Sequence, residues 1–378
     1  MTIVLAASAL CRPGVRLGDG PDNSGGLEPG WVAFDRDTIV HVGLGEAPRG
    51  ATDLGAAILA PGYVDVQCNG VDHDDFADAD QDGWQRAADT LASHGVTSHC
   101  PTLVSLRRDR YDAAFAVGAD MCAARRPGSS QCLGLHLEGP FLGGAPGAHD
   151  RDHLAPADLG WIDEMLARNP GLVRMVTLAP ESDPTSAAIR RLVAAGVTVG
   201  LGHSTASYDA SRAAADAGAR VATHLFNAMG PLHQREPGLA GAALDDDRLT
   251  PTLIADLVHV HPALVRLAFA RRPDLALVSD AVAVGGPVVA RNGAAYLADG
   301  TLAGATLMLD GGVAAAVRVG IAPVRAIEAA TAVPAGLVGA DDRGRLGPGA
   351  RADLVALDPT TLAVRAAWSA GEETSTRK

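Results

Sequence analysis

From Tyr63 to Val278 the chain alternates short apolar runs with alanine-rich stretches, and this alternation constrains its fold more than any other feature. Eight runs read as strands: Tyr63–Val66, Val96–His99, Leu133–Leu137, Leu172–Leu178, Val197–Leu201, Arg220–His224, Thr252–Ala255 and Leu275–Val278. Between them, Trp84–Ser93, Arg110–Ala124, Asp158–Arg168, Ser186–Ala195, Ser207–Ala217 and Pro262–Ala270 read as helices. The last opens on proline, whose missing N–H is harmless at a first helical position. Glycines at 95, 196 and 218 stand between helix and strand, where a helix end turns left-handed. Strand–helix units repeated in this way bury both faces of a parallel sheet, and eight of them predict a (β/α)8 TIM barrel.

The two ends of the chain have a different character. Thr2–Leu10, Trp31–Phe34 and Thr38–Val42 read as strands, with a Gly/Pro/Asp-rich connection over 18–30. After a turn at Arg345–Gly349, Ala352–Leu357 and Leu362–Trp368 read as two more, and Glu372–Lys378 as a frayed tail. Residues 1–59 and 344–378 are therefore expected to form one small β-sandwich domain beside a barrel spanning 60–343. The apolar stretch Ile3–Leu10 has no preceding basic residue, and bulky Leu10 stands where a leader's cleavage site requires a small one, so it reads as a strand. No run long enough to cross a membrane is free of charge, glycine and proline.

Lys and Arg total 31 against 44 Asp and Glu, a net charge of −13 that repels nucleic acid and anionic membranes. The same charge makes the surface a poor long-range trap for an anionic substrate. Cys11, Cys68, Cys100, Cys122 and Cys132 are odd in number and contain no CxxC pair, so neither a disulfide framework nor a thiolate zinc site is expected. A reducing compartment, the cytoplasm, fits that usage.

Barrel enzymes carry their chemistry at the carboxyl ends of the strands. Here Glu138, His203, His224 and Asp280 fall at the ends of strands three, five, six and eight. Any one of them alone reads as well as a cap, a rim charge or a packed histidine; their joint placement points to a site. One carboxylate and two imidazoles make a catalytic zinc set with a position left open for water, and Asp280 is the natural base for that water. His136 shares the face of Glu138 two residues earlier and reads as interior packing. His41, His94, His153 and His233 read as solvated, as does His73 among Asp72, Asp74 and Asp75; His99 is ambiguous.

These segments together resemble the amidohydrolase superfamily and, within it, the N-acetylglucosamine-6-phosphate deacetylase branch. The resemblance is carried by Pro61–Gly70, His136–Phe141, Leu201–Ser204, Thr223–Met229, Arg235–Gly241, Ile254–Asp256 with His259, and Ser279–Ala281. HLEGPF, and THLFNAM followed by REPGLAG, belong to the deacetylase branch; the PGYVD and ADLVALD segments are signals of the superfamily. The resemblance implies a metal held by Glu138, His203 and His224, with Asp280 as acid and base and His149 polarising the acetyl carbonyl. It further implies that the Asn227–Ala228 backbone, Arg235 and His259 bind the sugar phosphate. Arg235 and His259 are expected to reach in from a neighbouring subunit, which implies a homodimer.

Many amidohydrolases carry His-x-His at the end of the first strand, supplying a second metal, whereas this chain has Gln67-Cys68-Asn69. Amides are poorer ligands than imidazoles for zinc-like ions. One divalent ion per subunit is therefore expected, most simply Zn2+, with Fe2+, Co2+ or Mn2+ as alternatives, and Gln67 is expected to contact water or substrate. The competing readings are a deacetylase of a related acetamido sugar, such as N-acetylgalactosamine 6-phosphate, and a non-catalytic barrel of the same family.

Overall fold

The computed structural model describes residues 2–13 and 27–375. All eight expected strands are present as Tyr63–Cys68, Val96–Leu103, Leu135–Glu138, Val173–Leu178, Thr198–Leu201, Val221–Ala222, Thr250–Ile254 and Ala276–Val278. Each pairs in parallel with the next, as in Asp65 with His99, Glu138 with Thr177, Leu201 with Ala222 and Ile254 with Val278. The ring closes where Cys68 bridges Ala281 and the Asp280 N–H donates to the Gln67 carbonyl at 2.9 Å.

Three of the connecting helices start where short polar side chains cap them. Asp80, Asp158 and Ser207 each accept a backbone N–H from the residue three positions on, an interaction worth about 1 kcal/mol per helix. Gly95 adopts φ 76°, and a Cβ there would lie 2.7 Å from Val355 in the terminal sheet, so both conformation and space require glycine. The apolar helix faces, including Trp84, Leu91, Ile162, Ile189 and Leu192, share one core with the barrel strands. No described helix is long and apolar enough to cross a membrane.

Both chain ends build the second module. Ile58–Pro61 pairs antiparallel with Leu354–Leu357 and parallel with Thr2–Cys11, in a sheet that also takes in Leu27–Asp35, Thr38–Leu44 and Val364–Ser369. Its pairing is continuous, and the sandwich arises because the sheet curls until its far strands meet. Thr38 bridges Arg351, and the Gly371 turn packs against Arg36 and Phe34. Leu5, Val32, Phe34, Leu59, Leu354 and Trp368 fill the enclosed core.

Some local expectations are corrected. Glu372–Glu373, expected in a frayed tail, pairs with Trp368 and Ser369; the last three residues lie outside the described set. Leu27–Gly30, expected within the connection over 18–30, belongs to a strand, while 18–26 lie outside the described residues. Gly238–Asp245 is a helix, and Val289–Ala305 holds a three-stranded sheet; neither was anticipated.

Candidate active site

A cavity of about 410 Å³ opens at the carboxyl ends of the barrel strands, lined by Glu138, His149, His203, His224, His259 and Asp280 among others. Three of the side chains that meet there come from left-handed backbone: His203 at φ 50°, His224 at 35° and Asp280 at 49°. Such conformations cost non-glycine residues about 1–3 kcal/mol each and persist only where the surroundings impose them. Here they are imposed: the His224 N–H donates to Thr252 Oγ1 at 2.7 Å, and the His203 carbonyl accepts the Gly143 N–H at 2.9 Å.

Glu138 Oε1 lies 3.2 Å from His203 Nε2 and 3.0 Å from His224 Nε2, and the two nitrogens are 3.0 Å apart. Tetrahedral coordination with bonds of about 2.0–2.1 Å sets neighbouring ligand atoms about 3.3 Å apart, so the donor spacing fits a metal. The proton positions agree. His203 Nδ1 faces the carbonyls of Ala145 and Pro146 at 3.2 and 3.1 Å, and a carbonyl can only accept, so Nδ1 carries the hydrogen. Nε2 then turns a lone pair toward the carboxylate oxygen, an arrangement that calls for a cation between them. Burial lowers the His203 imidazole to about 4, keeping it neutral as a ligand must be.

Glu138, His149 and His203 are also close enough together to hold an ion, but His149 has the wrong tautomer for it. Its Nδ1 accepts the Ser105 backbone N–H at 3.2 Å, so Nε2 bears the proton, 3.7 Å from Glu138 Oε2. His149 is thus a donor facing the cavity, and Glu138, His203 and His224 are the residues that would hold a divalent ion.

Asp280 Oδ1 accepts the Asn69 side-chain amide at 2.9 Å and that of Gln67 at 3.1 Å, so neither amide occupies Oδ2. Burial first, then the Glu138 charge, pushes the Asp280 carboxyl up to about 6.

Gln67 itself is fully buried. Its second hydrogen goes to Glu138 Oε1 at 2.8 Å, so both amide hydrogens are committed to the two carboxylates, and Gln67 stands behind them, off the cavity lining. Asn227 also departs from expectation: its backbone N–H donates to the His224 carbonyl, leaving Ala228 as the candidate donor of that pair. His259 lines the cavity of its own chain, with Nδ1 held by Asp256 Oδ2 at 2.6 Å, and does not reach in from a neighbour. Its side chain is 4 % exposed, seated too deeply to serve another subunit. Arg235 is exposed and off the cavity lining.

Among the other histidines, His136 is interior as expected, joining the Val66 carbonyl to the Thr177 hydroxyl. His99 is buried against Phe76 and Ser130. His153 lines the cavity and His94 pairs with Asp310, so neither is the freely solvated group expected of a loop or helix end.

The amidohydrolase family model matches residues 58–376. The chain belongs to the amidohydrolase family. Among members it resembles, bovine N-acetylglucosamine-6-phosphate deacetylase is 40% identical over 347 residues, covering 85% of this chain and 84% of its own. An Escherichia coli O157:H7 N-acetylgalactosamine-6-phosphate deacetylase is 36% identical over 363 residues, covering 91% of this chain and 96% of its own. A Mycobacterium smegmatis N-acetyl-D-glucosamine-6-phosphate deacetylase mutant, solved with N-acetyl-D-glucosamine-6-phosphate, superposes with a TM-score of 0.89 at 36% identity, covering 99% of this chain and 100% of that one.

Proposed function

We propose that this amidohydrolase hydrolyses the acetamido group of N-acetylglucosamine 6-phosphate, giving glucosamine 6-phosphate and acetate. The observation that carries the reading is the placement of a proton acceptor, Asp280 Oδ2, and a proton donor, His149 Nε2–H, around the Glu138–His203–His224 donor set. A divalent ion held by those three side chains supplies Lewis acidity that lowers the pKa of water from about 15.7 to near 7.

Asp280 Oδ2 takes a proton from the attacking water as its oxygen bonds to the acetyl carbon. The carbonyl oxygen gains charge, and the His149 N–H donates to it. When the C–N bond breaks, Asp280 returns the proton to nitrogen, so that a neutral amine leaves; an amide anion could not. Gln67 and Asn69 hold Asp280 Oδ1 throughout, so the other oxygen performs both transfers.

A single ion, zinc, suits the site, because Gln67 directs N–H donors toward the carboxylates where a second ion would need lone pairs. The cavity lining among the described residues contains no Lys or Arg. A phosphate dianion there would be met by His259 and the Ala228 N–H, with Arg235 supplied by the other subunit of a homodimer. Five free thiols suit the cytoplasm.

The test is acetate release by metal-quantified protein from N-acetylglucosamine 6-phosphate, its galactosamine epimer and the unphosphorylated sugars. N-acetylglucosamine 6-phosphate should have the highest kcat/KM. Faster turnover of the epimer would favour the second reading, which the likeness to the Escherichia coli enzyme keeps open, and release from neither would end both.

A further inference from the structure

Glu181 lies outside the cavity, in the turn Pro180–Ser182 after the fourth barrel strand, yet two active-site loops meet at its carboxylate. Oε1 accepts the backbone N–H groups of Gly144 at 3.0 Å and Thr205 at 2.8 Å. Oε2 accepts the hydroxyl of buried Ser204 at 2.5 Å, and Ser204 Oγ in turn accepts the Ala206 N–H at 2.9 Å. The first loop, 143–149, provides the carbonyls that take the His203 Nδ1 proton and ends on His149. The second, 203–205, carries His203 itself. The loops approach so closely that a Cβ on Gly143 would lie 2.0 Å from Glu181 Oε1, and one on Gly144 2.4 Å from Thr205 Oγ1. A side chain at either glycine would displace the Glu181 carboxylate or the Thr205 hydroxyl.

We propose that Glu181 is a positioning residue that clamps the 143–149 loop to His203, and so sets the direction of both the His203 Nε2 lone pair and the His149 N–H. The proposal rests on the metal site and deacetylase reading above. The bonds are charge-assisted and come from two segments, so their effect is geometric. Burial acts to raise the carboxyl, but the Ser204 hydroxyl and the Gly144 and Thr205 N–H groups outweigh it and keep the group ionised near neutrality. Because Glu181 is exposed, folding depends on it much less than the site's alignment does.

Glu181→Gln preserves the shape but turns an amide hydrogen toward at least one of these donors. Zinc affinity is measured by competition with a chromophoric chelator, beside the thermal midpoint and the kinetics of zinc-loaded protein. The affinity should fall about 10–100-fold, the usual effect of removing a group that orients a metal ligand. At saturating zinc, kcat should fall about ten-fold or more with KM little changed. Parental zinc affinity in folded Glu181→Gln overturns the proposal. Should that variant not fold, Gly144→Ala, which strains the same junction from the other loop, decides it by the same measurement. Zinc binding is read without substrate: lost affinity beside a parent protein that releases no acetate would uphold the clamp and remove only the proposed substrate.

Discussion

Asp280→Asn is the sharpest test of the proposed chemistry. The amides of Gln67 and Asn69 both donate to Asp280 Oδ1, at 3.1 and 2.9 Å. An asparagine placed there must turn its oxygen to these two donors, since its NH2 in that position would face hydrogens with hydrogens. The NH2 then occupies the place of Oδ2 and has no lone pair with which to accept a proton from water. Both transfers fail together, the deprotonation of water and the protonation of the amine. One general acid–base transfer is worth about 10²–10⁴-fold, so kcat should fall by at least about 10³-fold, or about 4 kcal/mol at 1.36 kcal/mol per decade. Asp280 is outside the donor set, so zinc content should be unchanged and KM should move little. The assay is acetate release at saturating substrate, with metal measured on the same sample. A zinc-replete Asp280→Asn enzyme within ten-fold of the parent would refute the assignment.

Three further outcomes are expected. His149→Asn removes the N–H held toward the carbonyl oxygen and should lower kcat by about 10²–10³-fold while metal content stays constant; an unchanged kcat would remove His149 from the chemistry. Arg235→Ala should raise KM for the phosphorylated sugar and leave kcat/KM for the neutral sugar unaltered, whereas equal effects on both would rule out phosphate recognition. Burial lowers the His99 imidazole to about 3, below the ~6.5 of an unfolded chain, so the unfolded state takes up a proton that the folded state refuses. Its contribution is complete above pH ~6.5 and declines as pH falls toward 3; at pH 5.5 the loss is about 1.4 kcal/mol. Urea midpoints at pH 7.5 and 5.5 should therefore converge by that amount in His99→Gln relative to the parent, and parallel losses would contradict it.

The barrel was legible because its strands are short apolar runs bounded by glycine and by helix caps, each a local signal. Glu138, His203, His224 and Asp280 were legible for a related reason: once the strands are placed, their ends are placed too. What escaped depended on contacts between distant segments. Gln67 looks like a substrate-facing amide at the end of a strand, and only the approach of Glu138 and Asp280 uses up its two hydrogens. Glu181 follows Ala-Pro in a turn and looks like any solvated acid; nothing local shows that Gly144, Ser204 and Thr205 converge on it. The three-stranded sheet at Val289–Ala305 lacks polar–apolar alternation, because one side covers the cavity with Leu297 and Leu302 while its far end is exposed. His259 was expected at a subunit boundary, and its hydrogen bond with Asp256 holds it inside its own barrel.

The terminal sheet also bears on how the chain emerges from a ribosome. Ile58–Pro61 is made early, but its partner Leu354–Leu357 arrives about four-fifths of the chain later. At about 5–20 residues per second, that strand waits on the order of 15–60 s with one edge unpaired. The nascent chain therefore carries an open, apolar strand edge through the whole synthesis of the barrel, the kind of edge that recruits other chains. Holdase chaperones should engage it during that interval, and release of the carboxyl terminus should end the engagement.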